Sequence, residues 1–456
     1  MQRSIQPATD LEPSPSAARP QLVPAADTLR PDLQHFARAL RNHAELPGLT
    51  HQQKLREALL LIFCDPIPKE CLRLWLLSQN EWQDALHWLD ISGLALYFLG
   101  RLEEEHLTAI LPENIHARLR QNLADNTART DALLEDSSAL HRSFQHAGLA
   151  YATLKGFSLG SHSVPRLELR SQLDLDFLVA ESSAPEAQRI LESRGFALRG
   201  QHRRSLEFAA HDEIRLTLRD LYKSTPHRWI ELHIEPDASP ILARARMQYR
   251  HNILMPVLNP VDLFLGQGLH IYKHLLSHAT RTSHLIEFRR HILARSTDPQ
   301  FWRELRARAE ADSRHPIGLG VVIHVIDHLM GRFAPPALTR WSADLLPLPP
   351  RLWVEICAHD ALFASPPSTK LYKLLHEALA ANDARQKTTL RQVFLPTCLP
   401  RLIATAGPRE TLLSRFRANV AHLRLNIGRT RFHLREGIRL MRATRRFRSA
   451  LARMNS

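Results

Sequence analysis

Leu154-Lys155-Gly156-Phe157-Ser158-Leu159 and, a short way downstream, Arg170-Ser171-Gln172-Leu173-Asp174-Leu175-Asp176-Phe177-Leu178-Val179 decide how this chain folds. The first stretch closes an apolar run, Leu149 to Leu154, on a lysine and a glycine. The second alternates polar with apolar residues and then turns wholly apolar. Both runs read as strands. A strand sends successive side chains to opposite faces, so Asp174 and Asp176 share one face while Leu175 and Phe177 enter a core on the other. Ile214 to Leu218 and Trp229 to Ile234 read as further strands, and Glu186 to Gly195 as a helix ended by its glycine.

Outward from this unit the texture is helical. Leu55, Leu59, Leu60 and Phe63, then Trp82, Leu86 and Leu89, recur at three- and four-residue spacing, and beyond Pro240 Leu263, Leu265, Leu269, Leu275 and Leu276 fall in one apolar segment. The expected fold class is therefore α/β in the α+β sense: a small mixed sheet flanked by N- and C-terminal helical regions. The expected boundaries are a disordered Pro/Ala-rich arm at 1–30, a helical domain at 31–148, the sheet core at 149–239, a second helical domain at 240–410 and a basic helical tail at 411–456. No repeat of fixed period is present.

Composition narrows the class. With 44% hydrophobic and 23% charged residues, the chain resembles ordinary globular proteins, which excludes disorder throughout. Cys64, Cys71, Cys357 and Cys398 are scattered and form no Cys-x-x-Cys pair, so they read as buried free thiols rather than a disulfide framework or zinc ribbon. The N-terminus lacks an apolar signal segment, and no apolar run is long enough to span a bilayer, so no transmembrane segment and a cytoplasmic location are expected. The net charge of +14 and pI of about 10.2 owe much to the arginines after Glu410, opposed there only by Glu436. Such a tail (411–456) suits a polyanion, whether RNA, DNA or an anionic membrane surface, and equally suits a solvated helix end.

Two carboxylates side by side repel, and the usual reason to keep them together is a cation. Oxygen ligands favour a hard ion such as Mg²⁺. Asp-x-Asp is also common as a solvated strand end, but its surroundings favour the cation. Gly156 and Ser158 form a turn able to offer backbone N–H groups to phosphates. Lys155 and Arg170 flank it as phosphate-neutralising charges. Glu231, in a separate strand, can add a third carboxylate, and His233 shares its face as an orienting or substrate-contacting group. His270, His274 and His278 recur every four residues on one helical face, read as structural or phosphate-contacting side chains, with a zinc site as the alternative.

These residues, in this order, resemble the uncharacterised nucleotidyltransferase family of the DNA polymerase beta superfamily, whose pattern runs Leu-Lys-Gly, an Arg four residues before Asp-x-Asp-x-Leu-Val, and later Asp-Leu-His. Here the matching runs are Leu154-Lys155-Gly156, Arg170 with Asp174 to Val179, and Glu231-Leu232-His233; His270 and His274 look like a downstream His-x-x-x-His helix of the family. Phe157 separates the glycine and serine of the turn, and Glu231 replaces the third aspartate. The resemblance implies a polymerase-beta-like core in which Asp174, Asp176 and Glu231 are both catalytic and metal-holding, with two Mg²⁺ ions (Mn²⁺ being possible). It also implies Gly156 and Ser158 on the β and γ phosphates. The implied activity is transfer of a nucleoside monophosphate from a nucleoside triphosphate, ATP among the candidates, to a hydroxyl of an unidentified acceptor. The alternatives are a catalytically lapsed module that binds nucleotide or RNA, and a scaffold protein of a biosynthetic complex.

Overall fold

The computed structural model describes residues 50–456 apart from 203, 211–220, 224–228, 278–279, 365–368, 381–393, 395–411 and 456. The expected arm at 1–30, the strand expected at 214–218, His278 and Cys398 lie outside the described residues.

Short polar signals start the first helices. Thr50 and Gln53 form a reciprocal capping box ahead of α1 (His51–Leu61), and Ser78 and Glu81 do the same for α2 (Gln79–Ser92). Each pair satisfies backbone N–H groups that the first turn leaves orphaned. Gly93, left-handed at φ 75°, ends α2 and hands the chain to α3 (Ala95–Glu104). A single long helix, α4 (Glu113–His146), then runs up to the sheet.

Among the described residues seven strands form one mixed sheet: β1 (Tyr151–Thr153), β2 (Asp174–Ala180), β3 (Phe196–His202), β4 (Ser205–Ala210), β5 (Trp229–Glu235), β6 (Arg246–Arg250) and β7 (Ile253–Val257), in the order β3-β4-β5-β2-β1-β7-β6. β2 is central, parallel to β5 and antiparallel to β1. Among the described residues three short helices interrupt the strands, α5 (Gly160–Ser163), α6 (Ala184–Ser193) and α7 (Pro240–Ala243). The sheet thus continues past the last strand read from the sequence, through β6 and β7 to Val257. The α+β class is as expected.

The β2 alternation is realised. Leu175, Phe177 and Val179 join Ile230 and Leu232 of β5, Phe208 of β4, and Leu133, Leu140 and Phe144 of α4 in one core, with Ala187 and Leu191 of α6 closing it. The opposite face carries Asp174 and Asp176 near the strand's start and packs Leu178 against Ala152 and Leu258 farther along.

After the sheet come α8 (Pro260–Leu275), α9 (Thr282–Ala294), α10 (Pro299–Ala309), α11 (Arg314–Met330), α12 (Pro336–Leu345), α13 (Leu348–Leu362) and α14 (Tyr372–Leu379). Their apolar faces merge with those of α1 to α4 in one continuous core containing Leu59, Trp88, Phe98, Phe264, Phe288, Val322 and Trp353. Helices from before and after the sheet therefore pack together around it. Cys64, Cys71 and Cys357 are free and buried, as expected, and burial pushes the Cys71 and Cys357 thiols up to about 12. The last helix, α15 (Leu412–Asn455), docks through Leu440, Ala443 and Phe447. Its one acid, Glu436, is buried, accepting from the Lys370 backbone N–H at 3.1 Å and from Arg439 at 2.7 Å. Among the described residues no helix is long and apolar enough to cross a membrane.

Candidate active site

Parallel pairing of β2 with β5 sets Asp176 directly beside Glu231 and Leu178 beside His233. Since β5 sends Ile230 and Leu232 into the core, Glu231 and His233 emerge on the face that carries Asp176. Ligand atoms of Asp176, Glu231 and His233 all lie within 4.8 Å of one another. His233 Nε2 bridges the two acids, 3.3 Å from Asp176 Oδ1 and 3.4 Å from Glu231 Oε2. From the turn after β1, Lys155 Nζ reaches the same Asp176 oxygen at 3.1 Å.

Buried charge with close partners shifts every group here. Burial by itself would raise the Asp176 carboxyl, but the hydrogen bond from His233 and the Lys155 charge outweigh it and hold the group well below its ordinary range. The His233 hydrogen bond likewise lowers Glu231. His233 itself is disfavoured as a cation by burial, yet its two carboxylate partners carry it up to about 9. Asp174, at the start of β2, moves the other way: crowding by the surrounding protein and then the Asp176 charge raise it. At neutral pH Asp176 and Glu231 are therefore held as carboxylates with the His233 imidazolium between them. Two cations already occupy the surroundings of the buried acid.

The structure places the remaining sequence candidates unevenly. Asp174 shares the face of Asp176, but among the described residues no group containing it has three ligand atoms within that 4.8 Å span. Gly156 is left-handed at φ 60°, and a Cβ there would run into the Gln172 amide, so the turn requires glycine twice over. Ser158 is buried and directs its hydroxyl to the Lys155 carbonyl at 3.3 Å. Phe157 enters the sheet core, which accounts for the residue between Gly156 and Ser158. Arg170 Nε pairs with buried Glu287 at 3.1 Å. Burial opposes its charge, but Glu287, with Tyr97, Asp174 and Asp176 behind it, more than restores it. His270 and His274 lie one turn apart on α8.

Several supporting residues escaped the sequence reading. Tyr97 of α3 donates to Glu287 of α9 at 2.9 Å; Glu287 holds Arg170; Arg170 donates to Gln172 at 2.9 Å; and the Gln172 amide donates to the Asp174 carbonyl at 2.8 Å. Buried Asn126 of α4 donates to the carbonyls of Glu168 and Arg170 at 2.7 and 3.0 Å. The acid strand is thus braced from helices on both sides of it in sequence. Only Glu287 left a signal, as a lone acid inside the apolar run Leu285 to Phe288; buried acids need a partner.

Fold and site together define a class: an α+β protein that gathers acids from two parallel strands of a mixed sheet beneath a lysine-bearing glycine turn. The profile of an uncharacterised nucleotidyltransferase family matches residues 78–331, more than half of the chain, and the chain belongs to that family. No curated protein matches it.

Proposed function

We propose that this protein is a metal-dependent nucleotidyltransferase, moving a nucleoside monophosphate from a nucleoside triphosphate to a hydroxyl of an acceptor. One observation carries the reading: Asp176 and Glu231, register partners on adjacent parallel strands, converge beneath Lys155. The donor set suits Mg²⁺, because it is rich in carboxylate oxygen and its buried member, Asp176, already needs cations beside it. Asp174, Asp176 and Glu231 would hold the metal, two ions in the fullest form. When bound, it supplies charge neutralisation on the phosphates and activation of the attacking hydroxyl.

The chain's own groups do the rest. Lys155, free to turn from Asp176 to an incoming phosphate, exchanges one anionic partner for another. Arg170, locked by Glu287 and Gln172, presents a fixed positive wall in the pocket that Lys155 also lines. His233 donates to Asp176 and Glu231 and keeps the two acids together until substrate arrives. Glu231 orients the acceptor hydroxyl and takes its proton. The acceptor oxygen then bonds to the α-phosphorus, the bond from that phosphorus to the bridging oxygen breaks, and pyrophosphate leaves.

Incubation of the full chain with Mg²⁺, each α-labelled nucleoside triphosphate and a cell extract tests this. Label should pass to an acceptor, and Asp176→Asn should abolish the transfer. Absence of labelled acceptor, together with equal nucleotide binding by wild type and Asp176→Asn, would overturn it. Two observations favour a second reading, a lapsed module that only binds nucleotide or RNA: Ser158 is turned onto the Lys155 carbonyl and Asp174 stands apart from the closest cluster. Binding without transfer would identify that case. For the basic tail, a polyanion partner predicts that removing 411–456 weakens RNA binding at low salt.

A further inference from the structure

A second group of ligand-bearing side chains lies beside the acid cluster and is made entirely of imidazoles. His270 and His274 project from one face of α8, a turn apart, and His284 joins them from the first turn of α9. Ring centroids are 4.5 Å apart for His270 and His274, 5.4 Å for His270 and His284, and 5.7 Å for His274 and His284. One ligand nitrogen from each lies within 4.8 Å of the other two, and the Nε2 atoms of His270 and His274 are 3.1 Å apart. A tetrahedral zinc ion with nitrogens at roughly 2.0–2.1 Å sets neighbouring ligands roughly 3.3 Å apart. The pair on α8 is therefore already near that separation.

We propose that His270, His274 and His284 form a binding site for one zinc-class divalent cation, separate from the carboxylate cluster, with its fourth position open to the adjoining pocket.

Three further observations support this. The first is placement: all three imidazoles are half-buried, and they come from two helices packed against each other, α8 and α9. The second is an unsatisfied atom, since the buried Nδ1 of His284 has no hydrogen-bond partner. Such a cost is ordinarily relieved by a ligand or water. The third is space: His270 and His284 line a cavity of about 70 Å³ with Lys155, Arg170, Gln267 and Glu287. That is room for an ion's remaining water ligand, which needs on the order of 10–15 Å³ on this measure. The nearby cations do not forbid the ion, because Lys155 is matched by Asp176 and Arg170 by Glu287. Nitrogen donors distinguish this site from the oxygen-rich one, selecting zinc-class ions over Mg²⁺. The ion would tie α8 to α9 and leave a Lewis-acidic position beside Lys155, suited to a phosphate or hydroxyl oxygen. The inference stands on this geometry and does not depend on transferase activity.

The test uses the full chain stripped with EDTA, then loaded with Zn²⁺ in the presence of a weak competing chelator, or with Co²⁺ as a visible probe. Wild type and the Asp174→Asn/Asp176→Asn/Glu231→Gln variant should each retain one equivalent of Zn²⁺. The Co²⁺ form should show the intense visible bands of tetrahedral nitrogen coordination. His270→Gln and His274→Gln should each weaken Zn²⁺ binding by at least about 100-fold. Three results would overturn the site: no retained zinc in wild type, loss of zinc in the acid variant, or unchanged zinc binding in folded histidine variants. Should a histidine variant fail to fold, the wild-type Co²⁺ spectrum decides, and weak octahedral bands reject the proposal.

Discussion

On one face of β2, Leu175, Phe177 and Val179 are sealed under α4 and α6; on the other, a single buried carboxylate, Asp176, is surrounded by His233, Lys155 and Glu231. The two faces alternate residue by residue along one strand, yet their physics differs. The first is held by apolar area removed from water and tolerates changes that preserve volume. The second is held by charges that stabilise one another, because removing a cation leaves buried Asp176 with less charge to match it. The apolar face fixes the strand in place, and the polar face can then hold charge at a defined point. Substitutions on the two faces should accordingly separate stability from activity.

The largest expected effect is on the polar face. Asp176→Asn preserves shape and removes the charge, so nucleotidyl transfer should fall at least ~10³-fold, equivalent to ~4 kcal/mol of barrier. A variant within tenfold of wild type in the label-transfer assay would remove Asp176 from the chemistry. Next is the apolar face: Phe177→Ala, at a site 1% exposed, should cost about 3–5 kcal/mol in denaturant unfolding. A loss below about 1 kcal/mol would mean that this face is not the anchor. Third, Gly156→Ala combines a left-handed backbone with a collision against Gln172. It should cost about 1–2 kcal/mol in local strain, and with Lys155 displaced it should weaken nucleotide binding about tenfold by calorimetry. Unchanged affinity would separate the turn from the phosphate.

The smallest effect concerns pH. The folded protein raises His233 from its ordinary 6.5 to about 9, so its protonation stabilises the fold fully below about pH 6.5. That contribution is lost as pH rises through about 9. Allowing for partial exposure and coupling to the acids, the change should be of order 1 kcal/mol. The unfolding midpoint of wild type should decline across this window, and His233→Gln should flatten the decline. A wild-type midpoint that does not change between pH 6.5 and 9 would contradict the bridging role of His233.

Much of this was legible in the sequence, for definite reasons. The β2 and β5 runs carry their own period, so the shared face of Asp174 and Asp176, and that of Glu231 and His233, followed from spacing. The edge strands were not legible. β3 is mostly exposed and carries Arg199, Gly200, Gln201 and His202, while β6 reads Arg246, Met247, Gln248, Tyr249, Arg250, so neither shows a clean apolar alternation. They pair because a sheet edge beside them offers unpaired backbone groups, which is a property of the assembled sheet.

The site divides in the same way. The sequence by itself determined the α+β class, the residue types of the acid strand and the glycine turn with its lysine, since those depend on local period and backbone freedom. Only the tertiary structure decided that Asp176 faces Glu231 in register, that His233 bridges them, that Arg170 is locked by Glu287, and that His284 meets His270 and His274 across two helices. Local sequence specifies which chemistry a side chain carries and which face it takes. Distances of a few ångströms between residues far apart in the chain arise only when the core closes and fixes the elements against one another.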